Sequence, residues 1–176
     1  MGEMPNLFVD NASYMKDMRI NPLIILLRVF TRNLIIFGHN LLIVFGVYLY
    51  FGIWPGWIGL LAIPGFLLVA LNLAAISIPL SIVGARFRDL SQITQSIIQV
   101  LFFITPIFWF PRLLGESSWV IAANPVANFM DLVRSPLLGN LPELVSWGVS
   151  LLTLLISSII AMWLYRKKSV HIVFWV

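Results

Sequence analysis

The sequence predicts an all-α integral membrane protein with four transmembrane helices, an N-terminal amphipathic helix at the membrane interface and outer re-entrant half-helices. Three observations carry that expectation. Of 176 residues, 60% are apolar and only 10% charged. A soluble domain carries roughly 45–50% and about 25%, so too few polar side chains remain here to cover a water-facing surface. The mean hydropathy of +0.98 agrees. Uncharged runs long enough to cross a bilayer recur along the chain, and its basic residues fall mostly on one side of them.

The elements follow in order. Residues 10 to 32 mix charges with Ile20, Leu23, Leu26, Leu27 and Phe30, a near-helical apolar period after Pro22, which suits a helix lying at the membrane surface. Arg32 and Arg86 then bracket 53 uncharged residues, too many for one span. The run divides at Gly52-Ile53-Trp54-Pro55-Gly56-Trp57, where helix breakers meet interfacial tryptophans. The first half gives a span at about 33–51, and the second a longer one at about 58–83 that Pro64 and Pro79 are expected to kink. Asp89 and Arg112 bracket 22 uncharged residues, as do Glu143 and Arg166, placing spans at about 91–110 and 145–165. Between these two, Trp119 to Ala123 and Val126 to Leu138 are apolar but too short to cross, so re-entrant or interfacial half-helices are expected. The whole of 1–176 reads as one transmembrane domain, with neither an internal repeat nor a secretory signal sequence.

With the N-terminus inside, the cytoplasmic side holds Lys16, Arg19, Arg28, Arg32, Arg86, Arg88, Arg166, Lys167 and Lys168, and the opposite side only Arg112 and Arg134. Both termini are therefore expected in the cytoplasm. The net charge of +4 is read as this topology signal, not as a nucleic-acid surface.

Enzyme chemistry finds little footing. The chain has no cysteine, no phosphate-binding GxxxxGK[ST] loop, and two histidines, His39 and His171, that no carboxylate motif accompanies. No metal or cofactor is expected. The spans hold no Asp, Glu, Lys or Arg, which argues against drive by an ion gradient. His39 and Asn40 form an intramembrane polar pair, for which His39 is expected to serve function, to bond a neighbouring helix or to sit near the inner interface. On the second span Ala70, Ala74, Ser77 and Ser81 form a small-residue face suited to close helix packing.

The third span is the most informative. Gln92, Gln95 and Gln99 share one helical face, which continues through Phe102, Phe103, Pro106, Trp109 and Phe110. Amides followed by aromatic rings suit a sugar chain, whose hydroxyls need hydrogen bonds and whose apolar faces stack on rings. The same stripe also fits a polar seam between helices capped by an aromatic belt. Periodicity alone leaves both open.

Several stretches resemble one family. Residues 11–16 (Asn-Ala-Ser-Tyr-Met-Lys) and 28–40, from Arg28 to the Gly38-His39-Asn40 triplet, are similar to the cytoplasmic entry and third span of ABC type-2 permeases that export O-antigen, capsule and related polysaccharides. Residues 84–90 (Gly-Ala-Arg-Phe-Arg-Asp-Leu) and 103–109 (Phe-Ile-Thr-Pro-Ile-Phe-Trp) resemble that family's loop and fifth span; Asn124-Pro125 and Arg166-Lys167-Lys168 fit as well. The likeness runs over essentially the whole chain. Such permeases have six spans, whereas this chain begins just before the third, so the expectation is either a truncated reading frame or a missing part supplied by another polypeptide.

The resemblance implies the membrane subunit of an ATP-driven exporter in the cytoplasmic membrane. Two permease copies would form the passage for a lipid-linked polysaccharide, and ABC ATPase subunits, which bind the ATP, would dock beneath. The coupling element maps onto Tyr14, Lys16, Asp17 and Arg19, with Arg86, Arg88 and Asp89 as a second contact. Gln92, Gln95, Gln99, Phe102, Phe103 and Trp109 would line the path, and residues 112 to 143 would form the outer gate. The alternatives are a permease of the same type for a drug or lipid, and a non-transporting fragment or scaffold.

The charge asymmetry gives a direct prediction. A cysteine introduced at Ser117 should react with an impermeant thiol reagent added outside the cell, and one at Ser169 should not. The native chain has no cysteine to obscure the readout, and labelling at Ser169 alone would invert the topology.

Overall fold

A computed structural model describes residues 1–18, 21–52, 54–106, 123–168 and 172–175. Among these residues every regular element is helical and there is no strand. A 3-10 turn at Met4–Asn6 leads into α1 (Leu7–Asp10), α2 (Ala12–Met18) and α3 (Pro22–Phe51). A second 3-10 stretch at Gly56–Leu61 precedes α4 (Ala62–Arg86), followed by α5 (Leu90–Ile104), α6 (Pro125–Leu137), α7 (Leu144–Lys168) and α8 (Ile172–Trp175). Three helical stretches, Pro22–Phe51, Gly56–Arg86 and Leu144–Lys168, are long and apolar enough to cross a membrane, whereas α5 is a shorter apolar helix.

The first long helix starts earlier than the sequence suggests. Residues 10 to 32 do not form one surface helix ahead of a span at 33. Instead α3 runs unbroken from Pro22 to Phe51. The cause is local. The Asn21 side chain accepts a hydrogen bond from the Leu23 backbone N–H at 3.0 Å, and Pro22 occupies the first turn, where its missing N–H costs nothing. No proline follows until Pro55, so nothing stops the helix before Gly52, whose left-handed φ of 64° closes it.

α4 lies at the centre. It packs most extensively on α7, then on α6 and on the N-terminal 3-10 turn. Two glycines permit the closest approaches. A Cβ at Gly65 would sit 2.3 Å from the Leu132 carbonyl oxygen of α6, and one at Gly84 would sit 2.1 Å from the Pro5 carbonyl oxygen. Asn72 of α4 is wholly buried; its Nδ2 donates to the Leu68 carbonyl oxygen at 2.9 Å and across the seam to the Ser150 carbonyl oxygen at 3.1 Å. Of the expected close-packing face, Ser77 and Ser81 are fully buried, with their hydroxyls bonded one turn back to Leu73 and Ser77. Ala70 and Ala74 are half-buried.

The apolar core gathers at one end of the bundle. Met4, Leu7 and Phe8 from the N-terminal segment meet Met15 of α2, Ile25 and Leu26 of α3, Ile82 and Ala85 of α4, and Ile172 of α8. Beyond Ile25 and Leu26, α3 has no buried residue. It touches the other helices at spaced points: the Tyr165 hydroxyl donates to Asn21 Oδ1 at 3.1 Å, Phe37 stacks on Phe66 at 4.6 Å, and the Tyr48 hydroxyl donates to the Leu137 carbonyl oxygen.

Close approach at Gly65 sets an expectation for stability. Gly65→Ala must push α4 from α6 and should cost about 1–3 kcal/mol, as overpacked sites do. Gly46→Ala, with nothing within 4 Å, should be neutral or stabilising by up to ~1 kcal/mol. Thermal unfolding of the two variants in detergent, followed by circular dichroism, measures the contrast.

Candidate functional site

The glutamine face is where the sequence places it and is open. α5 carries Gln92, Gln95 and Gln99 exposed along one side, and among the described residues their side-chain amides make no hydrogen bond. Ser96, beside them, turns its hydroxyl back to the Gln92 carbonyl oxygen at 3.1 Å. Gln95 and Gln99 line an open, mainly apolar groove together with Gly2, Ile98, Phe102 and Phe103. The rings of Phe102 and Phe103 meet edge to face, 5.7 Å between centroids. On the opposite side of the groove stands the N-terminal segment, held to α5 by Asn6 Nδ2, which donates to Ser91 Oγ at 3.2 Å. Gln92 lies a turn nearer the start of α5 and outside the groove lining. Trp109 lies outside the described residues. The groove thus offers amide donors and acceptors beside aromatic faces.

The far end of α5 is fastened by polar side chains. Thr105, fully buried, donates to the Leu101 carbonyl oxygen at 2.7 Å and accepts from Asn124 Nδ2 at 3.2 Å. Asn124 also caps α6 by accepting from the Val126 N–H at 3.0 Å, and Asn128 Nδ2 donates to the Asn124 carbonyl oxygen at 2.8 Å. One turn on, the Asp131 carboxylate accepts from the Ser135 hydroxyl, the Glu143 backbone N–H at 3.0 Å and the Ser146 hydroxyl at 2.7 Å. It therefore serves as an anionic cap for α7 delivered from α6, where the helix dipole favours negative charge. Sequence reasoning missed Asp131, since no local pattern announces a cap supplied from a preceding helix. The Asn-Pro pairs at 21–22 and 124–125 were a usable signal, because both open helices in the same way.

The candidate coupling residues collect at the end of the bundle that holds the core. Tyr14 and Lys16 are exposed on α2, and Arg88 and Asp89 are exposed between α4 and α5. The Asp17 side chain and Arg19 lie outside the described residues. Arg86 differs from its neighbours: its guanidinium carbon stands 5.4 Å from the centroid of the Phe87 ring and 5.6 Å from that of Trp175. His39 is exposed on α3 and its Nδ1–H donates to the Ile35 carbonyl oxygen, 3.0 Å away in its own helix. The expected bond to a neighbouring helix is thus absent among the described residues, because His39 stands on the side of α3 that no helix covers. His171, Arg112 and the first of the two outer apolar pieces lie outside the described residues, apart from Ala123. The second piece forms α6.

No family model, no curated protein and no solved structure matches the chain. The class that fold and site define is an all-helical protein with apolar helices compatible with membrane spanning.

The cap on α7 is testable. Asp131→Ala removes the acceptor of three hydrogen bonds and should lower stability by about 1–2 kcal/mol, in the range of a lost helix cap, while Asp131→Asn, which keeps one acceptor oxygen, should lose less. Thermal unfolding in detergent ranks the two.

Proposed function

We propose that the chain is a membrane-spanning permease subunit of an ATP-driven ABC exporter that moves a lipid-linked polysaccharide across the cytoplasmic membrane. The observation that carries this reading is the row of three exposed, unbonded amides on an apolar helix, leading into paired aromatic rings. Amides facing hydrocarbon would be left without partners. Facing a glycan, each can bond hydroxyls while Phe102 and Phe103 stack on pyranose faces. A drug or lipid path would give those amides nothing to do.

In this proposal residues 91 to 110 provide one of four spans, both termini are cytoplasmic, and residues 112 to 143 form the outer gate with α6 as an interfacial half-helix. A second permease copy completes the passage. The chain itself hydrolyses nothing. An ABC ATPase binds the ATP and docks on Tyr14, Lys16, Asp17, Arg19, Arg86, Arg88 and Asp89. The exposure of Tyr14, Lys16, Arg88 and Asp89 at one end of the bundle supports such a contact.

Replacing Gln95 and Gln99 by leucine separates the uses of the stripe. With no hydrogen bond to lose among the described residues, the double variant should reach the membrane at the native level. Glycan hydroxyls left without partners cost roughly 1–3 kcal/mol each, so export should fall at least about fivefold. Surface polysaccharide measured against membrane protein in glycan-producing cells gives the answer. Normal export at normal protein level overturns the passage, and loss of protein favours an inter-helix seam.

A further inference from the structure

Independently of what is transported, the basic end of the bundle contains a cation pair of which only Arg86 falls among the proposed ATPase contacts. α4 ends in Arg86 and α7 in Lys168, and the short helix α8 returns against α4. This brings both cations to Trp175: the Arg86 guanidinium lies 5.6 Å and the Lys168 ammonium 5.8 Å from the centroid of its indole ring. Each contact is favourable by itself. Two cations on one ring still repel each other, and no described carboxylate answers either of them, since the one ion pair among the described residues joins Arg32 and Glu3. Lys168 and Trp175 are half-buried and Arg86 is exposed, so the pair is fixed by packing on one side and open on the other.

A second observation sets the depth of this pair. One turn before the end of α7, Trp163 is exposed, with the Lys167 ammonium 5.0 Å from its ring centroid. An exposed indole with a lysine reaching over it, at the end of a helix apolar enough to cross a membrane, marks the boundary between hydrocarbon and headgroups. Arg86, Lys168 and Trp175 therefore stand at headgroup level. The anion most concentrated there is the phosphate of an acidic phospholipid.

We propose that Arg86, Lys168 and Trp175 form a binding site for the phosphate headgroup of one anionic phospholipid at the basic end of the helix bundle. The phosphate lies between the two cations, removes their repulsion, and is flanked by the indole. Occupancy pins α8 and the ends of α4 and α7 together. Arg86 is thereby a lipid-binding residue, while Arg88, two positions on and in no such contact, remains open to a protein partner.

Native mass spectrometry of the full chain in neutral detergent tests the site, with phosphatidylglycerol and phosphatidylcholine of identical acyl chains as probes. The native protein should retain one phosphatidylglycerol in clear preference to phosphatidylcholine. Arg86→Gln with Lys168→Gln should lower that retention about tenfold, whereas Lys16→Gln with Arg88→Gln, the same loss of charge elsewhere on that end, should change it by less than about twofold. Equal losses in the two double variants would reduce the effect to diffuse charge and overturn the site. So would equal retention of the two lipids, or displacement of the lipid by millimolar inorganic phosphate. The exchange Arg86→Lys with Lys168→Arg keeps both cations and should keep the lipid. Should the glutamine variant fail to fold, that exchange and the headgroup comparison on the native chain decide the matter.

Discussion

α4 can hold the centre of the bundle because its buried faces do not keep a neighbour's backbone at a distance. Lipid chains are as apolar as leucine, so burial of apolar surface gives little drive for one helix to prefer another over lipid, and association rests on close dispersion contact with a few hydrogen bonds. Gly65 against Leu132 and Gly84 against Pro5 supply the close contact. Asn72 supplies the hydrogen bond, reaching from α4 to the Ser150 carbonyl oxygen of α7. The buried serines of α7, Ser146, Ser150 and Ser157, recur on one side of that helix with the same small volume. A large side chain at Gly65 would hold α6 off α4, and one at Gly84 would hold off the N-terminal turn.

Much of this was legible in the sequence, and the parts that were not share a cause. Charges bounding the uncharged runs locate the end of α4 and both ends of α7 to within a few residues, because charge is what a membrane-crossing segment excludes, and the helix breakers from Gly52 to Trp57 locate the break between α3 and α4. The start of α3 was misplaced since the same criterion treats Arg28 and Arg32 as boundaries, while the helix itself obeys Asn21 and Pro22. A long arginine can stand on a helix near its end and reach the interface. The core role of Met4, Leu7 and Phe8 was invisible for another reason. Nine residues give too little periodicity to define a face, and their burial depends on a glycine eighty residues away. For the site, the shared face of Gln95, Gln99, Phe102 and Phe103 followed from helical spacing alone, whereas Gly2 as the opposing wall and Asp131 as the cap of α7 required tertiary structure.

α3 shows how little contact a long helix needs to be placed. Its first turns enter the core through Ile25 and Leu26 and Arg32 pairs with Glu3, and beyond them single contacts hold it: Asn21 to Tyr165, Phe37 to Phe66 and Tyr48 to Leu137. Both tyrosines anchor near the limits of the apolar stretch, where a ring can rest in hydrocarbon while its hydroxyl finds a polar partner. The side of α3 that carries His39 and Gly46 remains uncovered by the described helices. Gly46 there meets nothing within 4 Å, so its small size answers no contact within this chain.

The same reasoning separates α5 from the rest of the bundle. Hydroxyls along the apolar helices mostly fold back on their own backbone, as Ser77, Ser81, Thr105 and Thr153 do. The amides of Asn72, Asn124 and Asn128 are held by bonds within or between helices. A hydroxyl one turn from a carbonyl can always take this route, and it therefore says nothing about what surrounds the helix. A glutamine carries its amide one methylene farther out, and among the described residues the three amides on α5 make no hydrogen bond at all. Three glutamines on one face thus leave it with donors and acceptors unmet among the described residues, and the N-terminal segment covers only part of it. The groove beside them is otherwise apolar and is lined by Phe102 and Phe103, so polar amides and aromatic faces stand side by side on α5.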